Sequence, residues 1–172
     1  MSIKRGLVPA FMAALCMFIA QGSLEAASSP NNQEQAIYRG AEQTATPAAS
    51  AHFTGQAYVE GAFSQQGDRP YAAAYVSFEP GARTAWHYHP LGQTLLIVRG
   101  ECWTQTKDGK KIAARIGDVV WCPPNVVHYH GASSNSVMTH LAIAEKREGV
   151  PSVVWLEKVS DQEYMQDENI KP

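Results

Sequence analysis

Residues Gly81–Gly100 read GARTAWHYHPLGQTLLIVRG, and this stretch decides the fold. Side chains alternate along a strand, so His87 and His89, two apart in an apolar and aromatic run, are predicted to share one face. Pro90-Leu91-Gly92 supplies turn chemistry, and Gln93 follows where a returning hairpin strand lies beside the first. A second stretch, Gly117–His130, reads GDVVWCPPNVVHYH and adds His128. Three imidazoles and one amide oxygen are neutral ligands suited to a first-row divalent metal, with positions left open for a substrate.

Working outward, the chain is a series of short runs punctuated by turns. Gln56–Ala62 and Tyr71–Phe78 flank a polar turn at Gln65–Pro70, and Glu79-Pro80-Gly81 is a strong stop. Thr84–His89, Thr94–Val98 and Glu101–Thr106 follow, then Asp108-Gly109 marks a hairpin into Lys111–Ile116. Val119–Cys122, Val126–His130, Val137–Ala144 and Val153–Val159 complete the strands. Ser160 and Glu163 have the spacing of a capping box and predict a short C-terminal helical turn. Many short strands without a long segment of 3.6-residue period argue for an all-β sandwich or barrel.

A chain of 172 residues is one domain's worth of sequence. With a net charge of −2 there is no electrostatic case for nucleic acid or an anionic membrane as partner. The N-terminus stands apart: Lys4 and Arg5 precede the apolar run Leu7–Ala20, and small residues follow through Ser28. That is the pattern of a secretory signal peptide, assigned to residues 1–27, whose removal would leave an exported, periplasmic or secreted protein without a stable membrane anchor. Fourteen residues are too few to span a bilayer comfortably. Residues 28–51, rich in Ala, Ser, Thr, Gln, Asn and Pro, read as a mobile leader or loosely held arm. Cys102 and Cys122 remain in the mature chain; in an exported protein they could be bonded, and buried free thiols are the simpler expectation.

The motifs also carry a resemblance. Gly81-x5-His87-x-His89-x3-Gln93-x6-Gly100 is similar to the first cupin motif, with Gln in place of the usual Glu. Gly117-x5-Pro123-x-Asn125-x2-His128 is similar to the second, with Asn in place of Gly. The wording FEPGARTAWHYHPLGQTLLIV, GDVVWCPPNVVHYHGA and MTHLAIAE resembles small bacterial single-domain cupins that include manganese-dependent hydroxynitrile lyases. The likeness runs from about His52 to Tyr164. It implies a cupin jelly-roll barrel over residues 52–165, with a flexible N-terminal arm before it and a tail, 166–172, after it.

The resemblance also implies a chemistry. His87, His89, Gln93 and His128 would hold the metal, with manganese favoured and iron, cobalt, nickel or zinc accommodated by the same donors. Replacing Glu by Gln leaves both metal charges uncompensated, which raises Lewis acidity and attracts anions. His140, in the apolar run Val137–Leu141, matches the general base of the lyases; an imidazole titrating near neutrality suits proton transfer. His130 shares the parity of His128, which leaves two placements open, the same cavity or a solvent-facing strand end. Ala74 and Val76 match positions that line the family's pocket, and Ala144 stands where those lyases carry a polar Gln. Trp103, Trp121 and Trp155 read as core or pocket wall. The implied activity is cleavage of a cyanohydrin, a small-molecule substrate, to aldehyde and cyanide, in a homo-oligomer paired through its sheets. A metal-dependent dioxygenase and a non-catalytic metal- or ligand-binding cupin are the alternatives.

Overall fold

Alternating patterning broken by Gly, Pro and Asn gives twelve short strands and one five-residue helix in the computed structural model, which describes residues 35–64, 69–166 and 170. The strands are β1 (Thr46–Pro47), β2 (Phe53–Thr54), β3 (Ala57–Phe63), β4 (Tyr71–Phe78), β5 (Arg83–Thr84) and β6 (His87–Tyr88). They continue as β7 (Gln93–Thr106), β8 (Ile112–Arg115), β9 (Val119–Cys122), β10 (His128–Ala132), β11 (Met138–Glu145) and β12 (Val154–Trp155), and helix α1 spans Asp161–Met165. The signal-peptide assignment, most of the turn at 65–70 and most of the tail lie outside the described residues.

All pairings between these strands are antiparallel, and the main path runs β1-β3-β4-β11-β7-β10-β5-β2. Strand β7 serves both sides of the curl. Its first half pairs with β11 and β9, and its second half with β10 and β8. The changeover is at Gly100, whose φ is +70°. A Cβ there would lie 1.8 Å from the carbonyl oxygen of Val137, so only glycine lets β11 leave and the strand turn. The two predicted strands either side of Gly100 are therefore one strand with a bend. Phe78, Leu95, Ile97, Cys102 and Met138 fill the space between the two halves and are almost wholly buried, which is the all-β jelly-roll core the sequence predicts.

A second apolar cluster, Trp86, Trp103, Tyr129, Val159 and Tyr164, seats the C-terminal segment. Helix α1 starts with the capping box: the Ser160 hydroxyl accepts from the amide of Glu163, and the Glu163 carboxylate accepts from the amide of Ser160. Arg83 donates to the carbonyl of Val159 and pairs with Asp161 at 2.6 Å, while the ammonium of Lys111 donates to the carbonyls of Tyr164 and Gln166. Asp161 is 89% exposed, so its ion pair contributes at most about 1 kcal/mol. Each buried aromatic contributes roughly 1.5–3 kcal/mol, so packing holds this segment.

Three local expectations change. The run predicted as one strand over Thr84–His89 is two, because Ala85 and Trp86 give their amides to the carbonyls of His52 and Glu157. Within the segment read as a leader, Thr46 and Pro47 pair with Val59 and Tyr58, so sheet pairing begins before His52. Of the run Val153–Val159 only β12 pairs as a strand. No helix among the described residues is long and apolar enough to cross a membrane.

Candidate metal centre

The pairing of β6 with β10 sets His87 directly opposite His128, and their rings lie 4.4 Å apart. His130, two residues on, shares the face of His128. It is 4% exposed with its ring 5.1 Å from His87, so of its two open placements the structure selects the interior. His89 lies just past β6, with its ring 5.2 Å from His87 and 5.8 Å from His128. Gln93 opens β7, buried beside His89. The five predicted residues around the site, His87, His89, Gln93, His128 and His130, are thus brought together.

The two motifs are tied to each other by the carbonyl of His89. It accepts the amide of Gly92 at 3.1 Å and the amide of Asn125 at 3.0 Å. Asn125 has a φ of +63°. This explains why Asn can stand at the usual Gly position: after Gly, Asn is among the residues that best tolerate left-handed backbone.

The orientation of the rings is fixed from behind. His87 Nδ1 lies 3.0 Å from the carbonyl of Ala85, His128 Nδ1 2.9 Å from that of Val126, and His89 Nδ1 2.6 Å from that of Ser152. A carbonyl can only accept, so each Nδ1 carries the proton and each Nε2 is left with its lone pair. Nε2 of His89 and of His128 and Oε1 of Gln93 are buried without a hydrogen-bond partner. Buried polar atoms of this kind are costly unless something meets them, and a divalent cation can meet several converging lone pairs at once. Burial also lowers the pKa of every ring. His89 falls to about 4, while His87 and His130 fall well below the ordinary value, helped by the neighbouring rings. Neutral imidazoles with fixed tautomers are what a divalent ion requires.

Geometry alone groups His87, His128 and His130, whose ligand nitrogens all lie within 4.8 Å of one another. His89 and His130 stand at similar distances from the His87–His128 pair, on ring centroids. Their Nδ1 atoms distinguish them. That of His89 is held by a backbone carbonyl, as in His87 and His128, whereas Nδ1 of His130 is 3.2 Å from Nε2 of His140.

His140 lies on β11 where its register with β7 shifts, between Thr139 and His140, and is fully buried. Such a bulge re-aims side chains. Burial lowers its pKa to about 3, so the near-neutral titration expected from the sequence is corrected: His140 is an uncharged base throughout the neutral range. Val76 is the direct β4 partner of His140 and belongs to the packed core, while Ala74 pairs with Ala142. Ala144 pairs with Gln93, so the position where the lyases carry a polar side chain adjoins the candidate ligand.

Sequence reasoning missed the support supplied by residues 52 and 152–155. Trp155 lies against His87 with ring centroids 4.8 Å apart, and His52 stacks on Trp155 at 4.7 Å with planes 7° apart. Both contacts join distant parts of the chain, so no local signal announces them. Trp103 is core as expected, and Trp121, 57% exposed with its ring over Gly92, lines the cavity that includes His128. Cys102 and Cys122 are free, buried thiols, and burial pushes both up to about 12.

A curled antiparallel barrel with three inward histidines on opposed strands defines a cupin, and the chain belongs to that family. Residues 74–144 match the family described as Cupin domain. Over 112 residues, 65% of this chain and 85% of the other, the sequence is 46% identical to the (R)-mandelonitrile lyase of Granulicella tundricola. Among solved structures it is similar to a cupin-like protein of Thermotoga maritima, at 37% identity and a TM-score of 0.65, covering 69% of this chain and 90% of that one. The polyketide cyclase RemF of Streptomyces resistomycificus shares the fold, with a TM-score of 0.62 at 14% identity over 76% of this chain and 91% of its own.

Proposed function

We propose that this chain is a metal-dependent hydroxynitrile lyase that splits an aryl cyanohydrin into aldehyde and cyanide. The observation that carries the reading is a buried base pair, His130 and His140, beside rings whose Nε2 atoms have no partner. The 46% identity to a mandelonitrile lyase supports the choice of reaction.

His87, His89, Gln93 and His128 would hold a divalent first-row metal, manganese for preference, which supplies Lewis acidity toward an oxygen or cyanide when bound. The chain's own part is proton handling. A substrate hydroxyl proton passes to the His130–His140 pair, which holds one proton between Nδ1 of one ring and Nε2 of the other. The O–H electrons become the new carbonyl bond, and the carbon–carbon pair leaves on cyanide. The same proton then returns to cyanide, so the rings end as they began. Burial of both rings keeps water out of that exchange. Neutral Gln93 adds no carboxylate to repel the departing anion.

The test is cyanide release from (R)-mandelonitrile by protein loaded separately with manganese, iron, cobalt or zinc. Release with at least one metal, abolished by chelation and restored by metal, is expected. No release with any of the four removes the reading and leaves a binding protein or an oxygenase.

A further inference from the structure

The segment after β11 returns to the metal centre without offering it a ligand. Gly149, at φ +73°, turns the chain between Arg147 and Val150, whose backbones form a bridge. Val154 and Trp155 of β12 then pair antiparallel with Tyr88 and His87 of β6. This pairing matters because β6 is two residues long and meets β10 through one pair, His87 with His128. Its other edge is held by β12. Next to that pairing the Trp86 carbonyl accepts the amide of Leu156 at 2.8 Å, and the Trp86 amide donates to the carbonyl of Glu157 at 2.9 Å.

Two contacts from this segment act on candidate ligand rings. The Ser152 carbonyl accepts from Nδ1 of His89 at 2.6 Å, and the Trp155 ring lies 4.8 Å from that of His87, tilted by 39°. The indole is gripped in turn by His52, stacked at 4.7 Å, and by Phe53 at 5.8 Å. His87 and His128 find their Nδ1 acceptors two residues away, at Ala85 and Val126. The acceptor of His89 comes from 63 residues away. Which ring nitrogen carries the proton is set by the hydrogen bond the other makes. The Nε2 lone pair of His89 is therefore fixed only while this segment is docked. Pro151 and Ser152 are exposed and Trp155 is half-buried, so the segment lies on the surface, where local opening costs less than in the core.

We infer that residues 152–155 are a positioning strap for the metal centre: the Ser152 carbonyl fixes the tautomer of His89, Trp155 fixes the ring of His87, and His52 clamps Trp155 from the far side. Affinity for a divalent ion is thereby coupled to the docking of a surface segment that supplies no ligand. The inference rests on His87 and His89 being ligands, as in the proposed function, and is independent of the reaction the site performs.

The experiment uses full-length protein with nitrogen-15-labelled histidine, first metal-free above neutral pH and then titrated with zinc. Long-range proton–nitrogen spectra distinguish Nδ1–H from Nε2–H rings and report zinc on a ring nitrogen. Native protein is expected to show His87, His89 and His128 as Nδ1–H rings, all three bound through Nε2 once zinc is added. Trp155→Ala should leave His128 as Nδ1–H and turn His89 into a mixture of tautomers. Its zinc affinity should fall by roughly 10–100-fold, the range seen when a group that orients a ligand is removed. Trp155→Phe, which keeps a ring against His87, should recover most of that loss. His52→Ala leaves the β6–β12 pairing in place and should weaken zinc in the same direction but less; it carries the test if Trp155→Ala does not fold. Unchanged zinc affinity in His52→Ala, or in a folded Trp155→Ala, overturns the strap. So does loss of the Nδ1–H form at His128 together with His89, which would mark general loosening. Zinc bound by native protein with His89 left free would instead remove the ligand set on which the strap depends.

Discussion

Nδ1 of His130 and Nε2 of His140 lie 3.2 Å apart, on rings that are 4% and 0% exposed. Between two neutral imidazoles this contact holds one hydrogen, and its direction reverses when both rings change tautomer. If the pair accepts the substrate's proton, His140→Ala should keep its metal and fold while turnover falls on the order of 10²–10⁴. Because burial lowers His140 to about 3, the base stays unprotonated at neutrality. The wild-type rate should therefore be level from pH 5 to 8, without a limb at the ordinary imidazole value. Unimpaired turnover in the variant would exclude His140 from the chemistry.

Metal-free protein should lose stability in mild acid. The buried rings have folded-state pKa values depressed below 6.5, to about 4 for His89 and about 3 for His140, with His87, His128 and His130 lowered too. Between 6.5 and those values the unfolded chain binds protons that the native state does not. Stability is then fully present above 6.5 and falls with pH, by roughly 1.4 kcal/mol per unit for each ring. Urea midpoints measured at pH 7, 6 and 5 without metal should drop steadily, and a constant midpoint would contradict the burial of these histidines.

The bend of β7 gives a prediction about stability alone. Gly100→Ala meets both left-handed backbone and the carbonyl of Val137. The expected cost is about 2–4 kcal/mol, read from urea unfolding of the metal-free protein. Gly81→Ala is the control: its φ is similar, +74°, but no atom lies within 4 Å of the added Cβ, so it should cost less.

Processing can be checked directly. The basic and apolar N-terminal pattern implies export and cleavage, and the mature chain is expected to begin within Ser23–Ser29. N-terminal sequencing of protein from the cell envelope or medium reads this. Met1 retained in a membrane fraction would refute it.

What was legible in the sequence was whatever local spacing encodes. Alternation around His87 and His89, turn residues before Gln93 and the second motif place His87, His89, Gln93 and His128 in one interior and leave His130 with two placements; the structure gathers all five. The capping box at Ser160 forms as its spacing predicts. Features set by contact between distant segments were not legible. The break between β5 and β6 exists because residues 52 and 157 take the backbone amides of Ala85 and Trp86. The carbonyl of Ser152 that orients His89 lies 63 residues away, and the depressed pKa of His140 arises from burial that no neighbour in sequence reports.

The choice between His89 and His130 as metal ligand can be decided by metal content. Ring centroids stand at similar distances from His87 and His128, while the ligand nitrogens group His130, not His89, with that pair. The difference is what stands behind each. His89 has its Nδ1 proton fixed by the Ser152 carbonyl, which directs an Nε2 lone pair inward next to the unpartnered oxygen of Gln93. His130 is backed by an imidazole that can give or take a proton, which suits proton transfer better than permanent ligation. His89→Ala should therefore purify with little metal and Gln93→Ala with weakened binding. Gln93→Glu should bind metal at least as tightly, because the carboxylate compensates one positive charge, while cyanide binds more weakly. His130→Ala should retain metal and lose turnover. The reverse pattern, an occupied His89→Ala and a metal-free His130→Ala, would transfer the ligand role to His130 and leave His140 as the ring that orients it.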